Sequence, residues 1–285
     1  MNVQAAINCG LFTQFVYNNS NAAGSATDLN GLYVVTASGE PIIPGSSYKV
    51  LATIFANDLA TAITALQPDD FTTIGIVAVN EDDPADVFIV IRGTEGIWEW
   101  VQDAKFLPIP FPNVAGSGLT EDGFTDMYLS FSLVNGPSEG SFLTNVLNLL
   151  PSNAMVTVTG HSLGAALATL LALDMAANSS LPTALYTLAS PRVGDLTFEH
   201  LFNHVVPNAY RIANRLDIVP KLPPPLLYFH VGDETELLPS TTMKLELGCE
   251  HALSSYLNML AASINQASAY PIEPACLKAA PATEI

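Results

Sequence analysis

The chain has 285 residues, of which 49% are hydrophobic and 13% charged, with 9 basic side chains against 27 acidic ones. The net charge of −18 argues against nucleic acid and against electrostatic docking on anionic lipid, because both require clustered Lys and Arg. It leaves contact with neutral lipid or an oil surface open. The length suits one large core, and we predict a single α/β domain over residues 1–285.

The sequence contains no run of 18 uncharged apolar residues, so no transmembrane helix is predicted. Residues 1–6 lack a basic region and do not resemble an ordinary signal peptide. The chain is therefore expected to be mature, leaderless or intracellular, and its localisation stays open, with secretion favoured. Cys9, Cys249 and Cys276 allow either one disulfide plus a free thiol or three thiols.

In chain order, the hydrophobic pattern predicts strands that alternate with helices. Helices are expected at residues 3–18, 48–66, 122–134, 141–150, 163–177, 196–203 and 251–266. Strands are expected at residues 72–79, 87–91, 155–159, 185–189, 210–213 and 228–231, the first two as a hairpin. Residues 18–31 read as a loop, and residues 94–120 contain little strand signal. The alternation predicts a mainly parallel sheet covered by helices on both faces.

The most informative stretch is the pentapeptide at residues 160–164, Gly-His-Ser-Leu-Gly. Gly-x-Ser-x-Gly alone is a weak signal, but here it separates a β-branched run from a strong helix-forming run, as a nucleophile elbow requires. The glycines remove side chains that would collide with the neighbouring strand and helix. The hydroxyl then stands at the carboxyl edge of the sheet, which predicts Ser162 as a nucleophile. A coincidental Gly/Ser turn is the alternative.

A serine nucleophile needs a base, and the chain has five histidines. His251 opens the last predicted helix, where a preceding loop can bring it over the elbow. His161 adjoins the nucleophile and is expected to pack behind it. The spacing of His200 and His204 could hold a metal, but they lack the Glu-x-x pattern of a metal-binding helix, so a solvated face is expected. His230 is expected to be hydrogen-bonded in the core or at its rim.

The base needs an orienting carboxylate from a loop after a strand. Asp217 fits this position, and apolar neighbours would shield it from water. Asp174 and Asp195 lie in helix or helix-cap contexts and fit less well. The order Ser162, Asp217, His251 is that of α/β-hydrolases.

The oxyanion of an acyl-transfer intermediate needs at least two donors. One is the backbone N–H of Leu163, directly after the nucleophile. The other should come from a loop after an earlier strand, and Thr94, which follows the strand at residues 87–91, could offer both its N–H and its hydroxyl.

Together these segments resemble the class 3 (fungal-type) lipases of the α/β-hydrolase superfamily. The resemblance rests on the motifs at residues 91–94, 122–124, 160–164, 210–220 and 250–253, in order along most of the chain. It implies an α/β-hydrolase fold with a lid, and Ser162, Asp217 and His251 as a catalytic triad. It also implies Thr94 and Leu163 as the oxyanion hole.

The resemblance further maps Asp103 onto a carboxylate that braces the oxyanion loop. Two departures stand out: Glu121 replaces a histidine that the family often has before its Gly-Phe segment, and the cysteines do not match the disulfide set of secreted fungal members. Neither departure touches the triad.

Residues 95–107 resemble the family's lid. At 100° per residue, Ile97, Trp98 and Val101 share one apolar face, with Trp100 toward its edge. Such a helix can cover an apolar cleft in water and turn outward at an oil surface. The alternative is a helix packed permanently on the core.

The sequence thus predicts serine-dependent hydrolysis of carboxylic esters without a cofactor or a metal, by a triacylglycerol lipase acting at a lipid–water interface. The alternatives are a carboxylesterase or phospholipase A1 and, in another class, a non-catalytic protein that binds an apolar ligand.

Overall fold

A computed structural model describes residues 1–20, 26–57, 71–94, 106–136 and 139–278. The helices within those ranges are α1 Val3–Asn19, α2 Asp122–Leu129, α3 Phe142–Leu147, α4 Leu163–Asn178, α5 Leu196–Val205, α6 Leu247–His251 and α7 Leu253–Ala262. The strands there are β1 Tyr48–Asn57, β2 Phe71–Asn80, β3 Asp86–Ile91, β4 Pro108–Pro110, β5 Leu119–Glu121, β6 Ser132–Leu133, β7 Met155–His161, β8 Thr183–Leu188, β9 Ala209–Asn214 and β10 Asp233–Leu237.

Across the described residues, eight strands form one sheet in the order β10-β9-β8-β7-β3-β2-β1-β6, and β4 pairs with β5 separately. The five strands from β10 to β3 run parallel, whereas β2, β1 and β6 pair antiparallel. The predicted hairpin is confirmed as β2 and β3, paired antiparallel. The predicted α/β-hydrolase fold with a mainly parallel sheet is likewise confirmed.

The sheet is covered on both faces, as the central strand β3 illustrates. Val87, Ile89 and Ile91 belong to the core that includes buried residues of α2 to α5. Phe88 and Val90 point the other way, into the core that includes buried residues of α1 and α7. Because side chains alternate along a strand and both faces are covered, this strand is apolar from Val87 to Ile91.

The predicted helix at residues 48–66 is wrong. Its described part is strand β1, which pairs antiparallel with β2. Val50, Ala52, Ile54 and Ala56 are buried at every second position, so the segment fits a sheet. Over this short run the apolar residues fit both the helical period of 3.6 and the strand period of 2. Pairing with β2 decides in favour of the strand.

The predicted strand at residues 228–231 is also wrong, because it makes only an isolated bridge between Phe229 and Gly194. The strand at this edge is β10, whose sequence Asp-Glu-Thr-Glu-Leu is largely exposed. An edge strand needs little apolar surface, so its position carried no hydrophobic signal.

Two helix predictions had wrong bounds. The helix predicted at 122–134 ends at Leu129, and Ser132–Leu133 instead adds strand β6 to the edge of β1. The helix predicted at 251–266 is also wrong at both ends: His251 does not open it but ends α6, the backbone is extended at Ala252, and α7 runs from Leu253 only to Ala262.

The cysteines resolve into one disulfide, Cys249–Cys276, and one buried free thiol, Cys9. Burial raises the pKa of the Cys9 thiol to about 12, which keeps it protonated. In the described ranges, no helix is long and apolar enough to cross a bilayer. The same ranges contain no cluster of three or more His, Cys, Asp or Glu side chains that could hold a metal ion.

Candidate active site

Ser162 lies in the turn between β7 and α4 with φ +60° and ψ −129°, a conformation that L-residues rarely adopt. Both flanking glycines are required by close backbone approach. A Cβ atom at Gly160 would lie 2.3 Å from the carbonyl oxygen of Gly164, and one at Gly164 would lie 2.4 Å from that of Ile91. The strand-to-helix turn therefore has the geometry that a nucleophile elbow requires.

The structure brings the three predicted triad residues together. Nε2 of His251 lies 2.8 Å from Oγ of Ser162, and Nδ1 of His251 lies 2.8 Å from Oδ2 of Asp217. A carboxylate only accepts, so Nδ1–H donates to Asp217, and Nε2 of the neutral ring accepts from the serine hydroxyl. This arrangement can take the hydroxyl proton as the serine attacks a carbonyl carbon.

Asp217 is fully buried, so its charge needs several hydrogen bonds. Besides His251, it accepts from the hydroxyl of Tyr256 at 2.8 Å and from the backbone N–H of Val219 at 3.0 Å. Burial and the nearby Asp217 carboxylate hold the pKa of Tyr256 well above its usual value, so its hydroxyl remains a donor. These donors fix the carboxylate that faces the imidazole.

The backbone beside His251 is also held in place. The side-chain amide of Asn214, at the end of β9, donates to the carbonyl of Glu250 at 2.7 Å. Asn214 N–H in turn donates to the Tyr256 hydroxyl at 2.9 Å. The strand that leads to Asp217 and the helix that carries His251 are thereby connected.

The predicted oxyanion donors occupy suitable elements. Leu163 is the first residue of α4, where backbone N–H groups have no partner within the helix. Thr94 follows β3, which pairs with β7 so that Ile91 faces Gly160. Gly93 directly precedes Thr94. A Cβ atom at Gly93 would lie 2.9 Å from Cβ of Ser162, so only glycine fits at this position.

The other histidines are placed as follows. His161 is buried behind the site, with its ring centroid 4.8 Å from that of His251. Burial and proximity to His251 hold its pKa well below the usual value. His230 lies 2.8 Å from the carbonyl oxygen of Pro220, and burial lowers its pKa to about 3. His200 is exposed beside Glu199.

Part of the predicted site lies outside the described residues. These positions are Asp103 and the predicted lid residues Ile97, Trp98, Trp100 and Val101.

Glu121, which stands where the family often has a histidine, caps α2. Its carboxylate accepts a hydrogen bond from the N–H of Phe124 at 2.8 Å.

Sequence reasoning missed Tyr256 and Asn214. A buried carboxylate needs donors, so partners for Asp217 could be expected. That Tyr256 is one of these donors could not be predicted, because it comes from a helix 39 residues further along the chain. Asn214 donates to the carbonyl of Glu250 instead, a contact that only the fold creates.

An α/β-hydrolase fold that presents serine, aspartate and histidine in this order and geometry defines the class of serine hydrolases. Comparisons with known proteins agree. The family model of the class 3 lipases matches residues 88–227. The chain is 32% identical to the lipase of Rhizomucor miehei over 261 residues, covering 84% of this chain and 68% of that protein.

Phospholipase A1-II 3 of Oryza sativa subsp. indica is 34% identical over 192 residues, which cover 56% of this chain and 46% of that protein. A solved structure of the Rhizomucor miehei lipase in complex with its propeptide aligns with a TM-score of 0.56 at 27% identity, covering 82% of this chain and 66% of the other. The chain belongs to the class 3 lipase family and is an ester-hydrolysing serine hydrolase. It spans only about half the length of the plant relative.

Proposed function

We propose that this protein is a triacylglycerol lipase that acts at a lipid–water interface, with Ser162 as nucleophile, His251 as general base and Asp217 as its orienting carboxylate. The observation that carries this proposal is the hydrogen-bonded chain from Oγ of Ser162 through His251 to Asp217, with both contacts at 2.8 Å.

In the proposed reaction, Oγ of Ser162 attacks the ester carbonyl carbon while His251 takes the hydroxyl proton. The N–H groups of Leu163 and Thr94 stabilise the oxyanion of the tetrahedral intermediate. His251 then protonates the departing alcohol. Water hydrolyses the acyl-enzyme by the same steps and restores Ser162, so the cycle needs no cofactor.

Exposed leucines in the segments that adjoin Asp217 and His251 support an interfacial substrate. Leu245 and Leu247 are 62% and 55% exposed in the segment that leads to His251. Leu226 and Leu227 are 85% and 59% exposed in the loop after Asp217. Exposed apolar residues this close in sequence to two triad residues favour a lipid or protein contact surface beside the site.

The charge around Leu226 and Leu227 favours contact with neutral lipid. Between residues 215 and 232 the only acidic residue is Asp217, which is fully buried, whereas Arg215 and Lys221 are basic. In a chain of net charge −18, this loop is therefore free of exposed carboxylates. A neutral acylglycerol surface can approach it without desolvating anions.

The relatives support two substrate classes. The Rhizomucor miehei protein is named a lipase, and the rice protein a phospholipase A1. Both activities cleave carboxylic esters, and phospholipase A1 is the second candidate function. The small number of basic side chains favours neutral acylglycerol over anionic phospholipid.

Secretion is the localisation that we infer. The Cys249–Cys276 disulfide favours an oxidising compartment, because thiols are kept reduced in the cytosol.

The interfacial proposal predicts that the rate per enzyme rises sharply when tributyrin passes its solubility limit. The variant Leu226→Ser/Leu227→Ser should reduce this rise while leaving hydrolysis of dissolved p-nitrophenyl acetate nearly unchanged. Its matched control is Leu149→Ser/Met155→Ser, which also replaces two exposed apolar residues. Met155 begins β7 and Leu149 precedes it, so both lie at the end of that strand opposite to Ser162. A smooth saturation curve, or equal effects of both variants on tributyrin, would favour the carboxylesterase instead.

A further inference from the structure

Tyr17, in the last turn of α1, reaches the edge of the sheet where the site lies. Its hydroxyl oxygen accepts a hydrogen bond from the backbone N–H of Gly93 at 2.8 Å. The same oxygen lies 3.1 Å from Nδ1 of His161. One side chain from the first helix thus contacts both the loop that leads to Thr94 and the residue before Ser162.

The chemistry of the partners fixes every proton in this network. Nε2 of His161 lies 2.9 Å from the carbonyl oxygen of His251, and a carbonyl only accepts, so Nε2 carries a hydrogen. Because burial keeps His161 neutral, its Nδ1 must accept. The Tyr17 hydroxyl is therefore the donor to Nδ1, and its oxygen remains available to accept from Gly93.

A second contact fixes the other side of Gly93. Nη1 of Arg92 donates to the carbonyl oxygen of Gly93 at 2.8 Å, while its Nε donates to the carbonyl of Thr73 at 2.8 Å. The peptide between Gly93 and Thr94 is planar and trans, so its N–H points opposite to its C=O. Holding the oxygen of Gly93 therefore sets the direction of the Thr94 N–H.

We propose that Tyr17 is a positioning residue that holds the oxyanion loop and the backbone of His251 in one fixed relation. This inference rests on the proposed function, because it assigns Thr94 to the oxyanion hole and His251 to the base. The hydroxyl joins the Gly93 end of the loop to His161, and His161 holds the carbonyl of His251. Such contacts keep reacting groups within the narrow tolerance that catalysis requires.

The test is Tyr17→Phe, which removes one oxygen and keeps the ring that packs 6.0 Å from Cζ of Arg92. Losing an oxyanion donor outright costs roughly 10²- to 10³-fold in kcat, and a group that only orients donors should cost less, about 10-fold. KM for a dissolved p-nitrophenyl ester should stay unchanged. Affinity for an alkyl boronic acid, whose serine adduct is tetrahedral, should fall by a similar factor.

The matched control is Tyr128→Phe, which removes a buried hydroxyl that donates to Asp174 at 2.7 Å, in the core between α2 and α4. Both variants should lose some thermal stability, but only Tyr17→Phe should lower kcat and boronic acid affinity. Unchanged kcat in folded Tyr17→Phe, or an equal loss in Tyr128→Phe, would overturn the inference. Activity retained by Ser162→Ala would instead overturn the proposed function, so the two failures are distinguishable.

Discussion

At the scale of single residues, the site depends on side chains that the sequence identifies and on partners that it does not. Ser162, Asp217 and His251 could be predicted because an elbow, a strand exit and a histidine late in the chain after an irregular segment each leave a local signature. Tyr17 and Tyr256 could not be predicted as their partners. Each is an aromatic residue in a helix whose apolar pattern predicts only burial, and only the fold brings its hydroxyl to the site.

Glu121 provides a pH prediction at this scale. It is 2% exposed, and burial raises its pKa to about 8, against the opposing effect of the Phe124 N–H. The folded state therefore binds the proton more tightly than the unfolded chain. The protonated Glu121 side chain therefore contributes to the free energy of unfolding. This contribution is complete below the unfolded pKa of 4.5 and is lost as the pH rises toward 8.

Glu121→Gln stays neutral at every pH and keeps an oxygen that can accept from Phe124. Relative to this variant, the wild type should lose on the order of a few kcal/mol of unfolding free energy between pH 5 and pH 9. Urea unfolding across this range measures the difference. The exposed Glu40→Gln variant is the control and should follow the wild type; parallel curves for wild type and Glu121→Gln would refute the prediction.

At the scale of elements, the sequence predicts those that are buried on two faces and misses those at the edges. α4 is buried along nearly its whole length, and β7 reads as a β-branched run, so both were located closely. β10 is a mostly exposed acidic strand, and β1 has a pattern that also fits a helix. Pairing partners, which decide both cases, lie far away in sequence.

The Cys249–Cys276 disulfide joins α6 to the last described segment across a separation of 27 residues. The two segments also pair through backbone hydrogen bonds, including Lys244 N–H to the carbonyl of Cys276 at 2.9 Å. A covalent loop of this size stabilises a fold by about 3 kcal/mol. Cys249 also lies two residues before His251, so we expect the bond to hold the backbone of His251 as well as the fold.

Reduction should therefore lower the Tm and also the kcat for a dissolved ester. Differential scanning calorimetry and p-nitrophenyl butyrate assays, with and without dithiothreitol, measure both effects. Cys249→Ser/Cys276→Ser is the control: it should resemble the reduced wild type and show no further response to the reductant. A reduced wild type with unchanged Tm and kcat would contradict this role.

At the scale of the whole molecule, the parallel strands explain why residues so distant in sequence meet. β7, β8 and β9 run in one direction, so Ser162 and Asp217 both follow strands that end at the same edge. This edge could be predicted from the alternation of strands and helices. The surface that surrounds it could not, because the exposure of Leu226 and Leu245 depends on how their loops pack.

In the proposed reaction Ser162 forms the acyl-enzyme, so hydrolysis should depend on its hydroxyl. Initial rates of p-nitrophenyl butyrate hydrolysis are compared for purified wild type and Ser162→Ala. Alanine fits the elbow without altering its neighbours, so the fold should persist by circular dichroism. We expect the rate to fall by about 10⁴-fold or more. Substantial hydrolysis by folded Ser162→Ala, free of contaminating esterase, would contradict the proposed reaction.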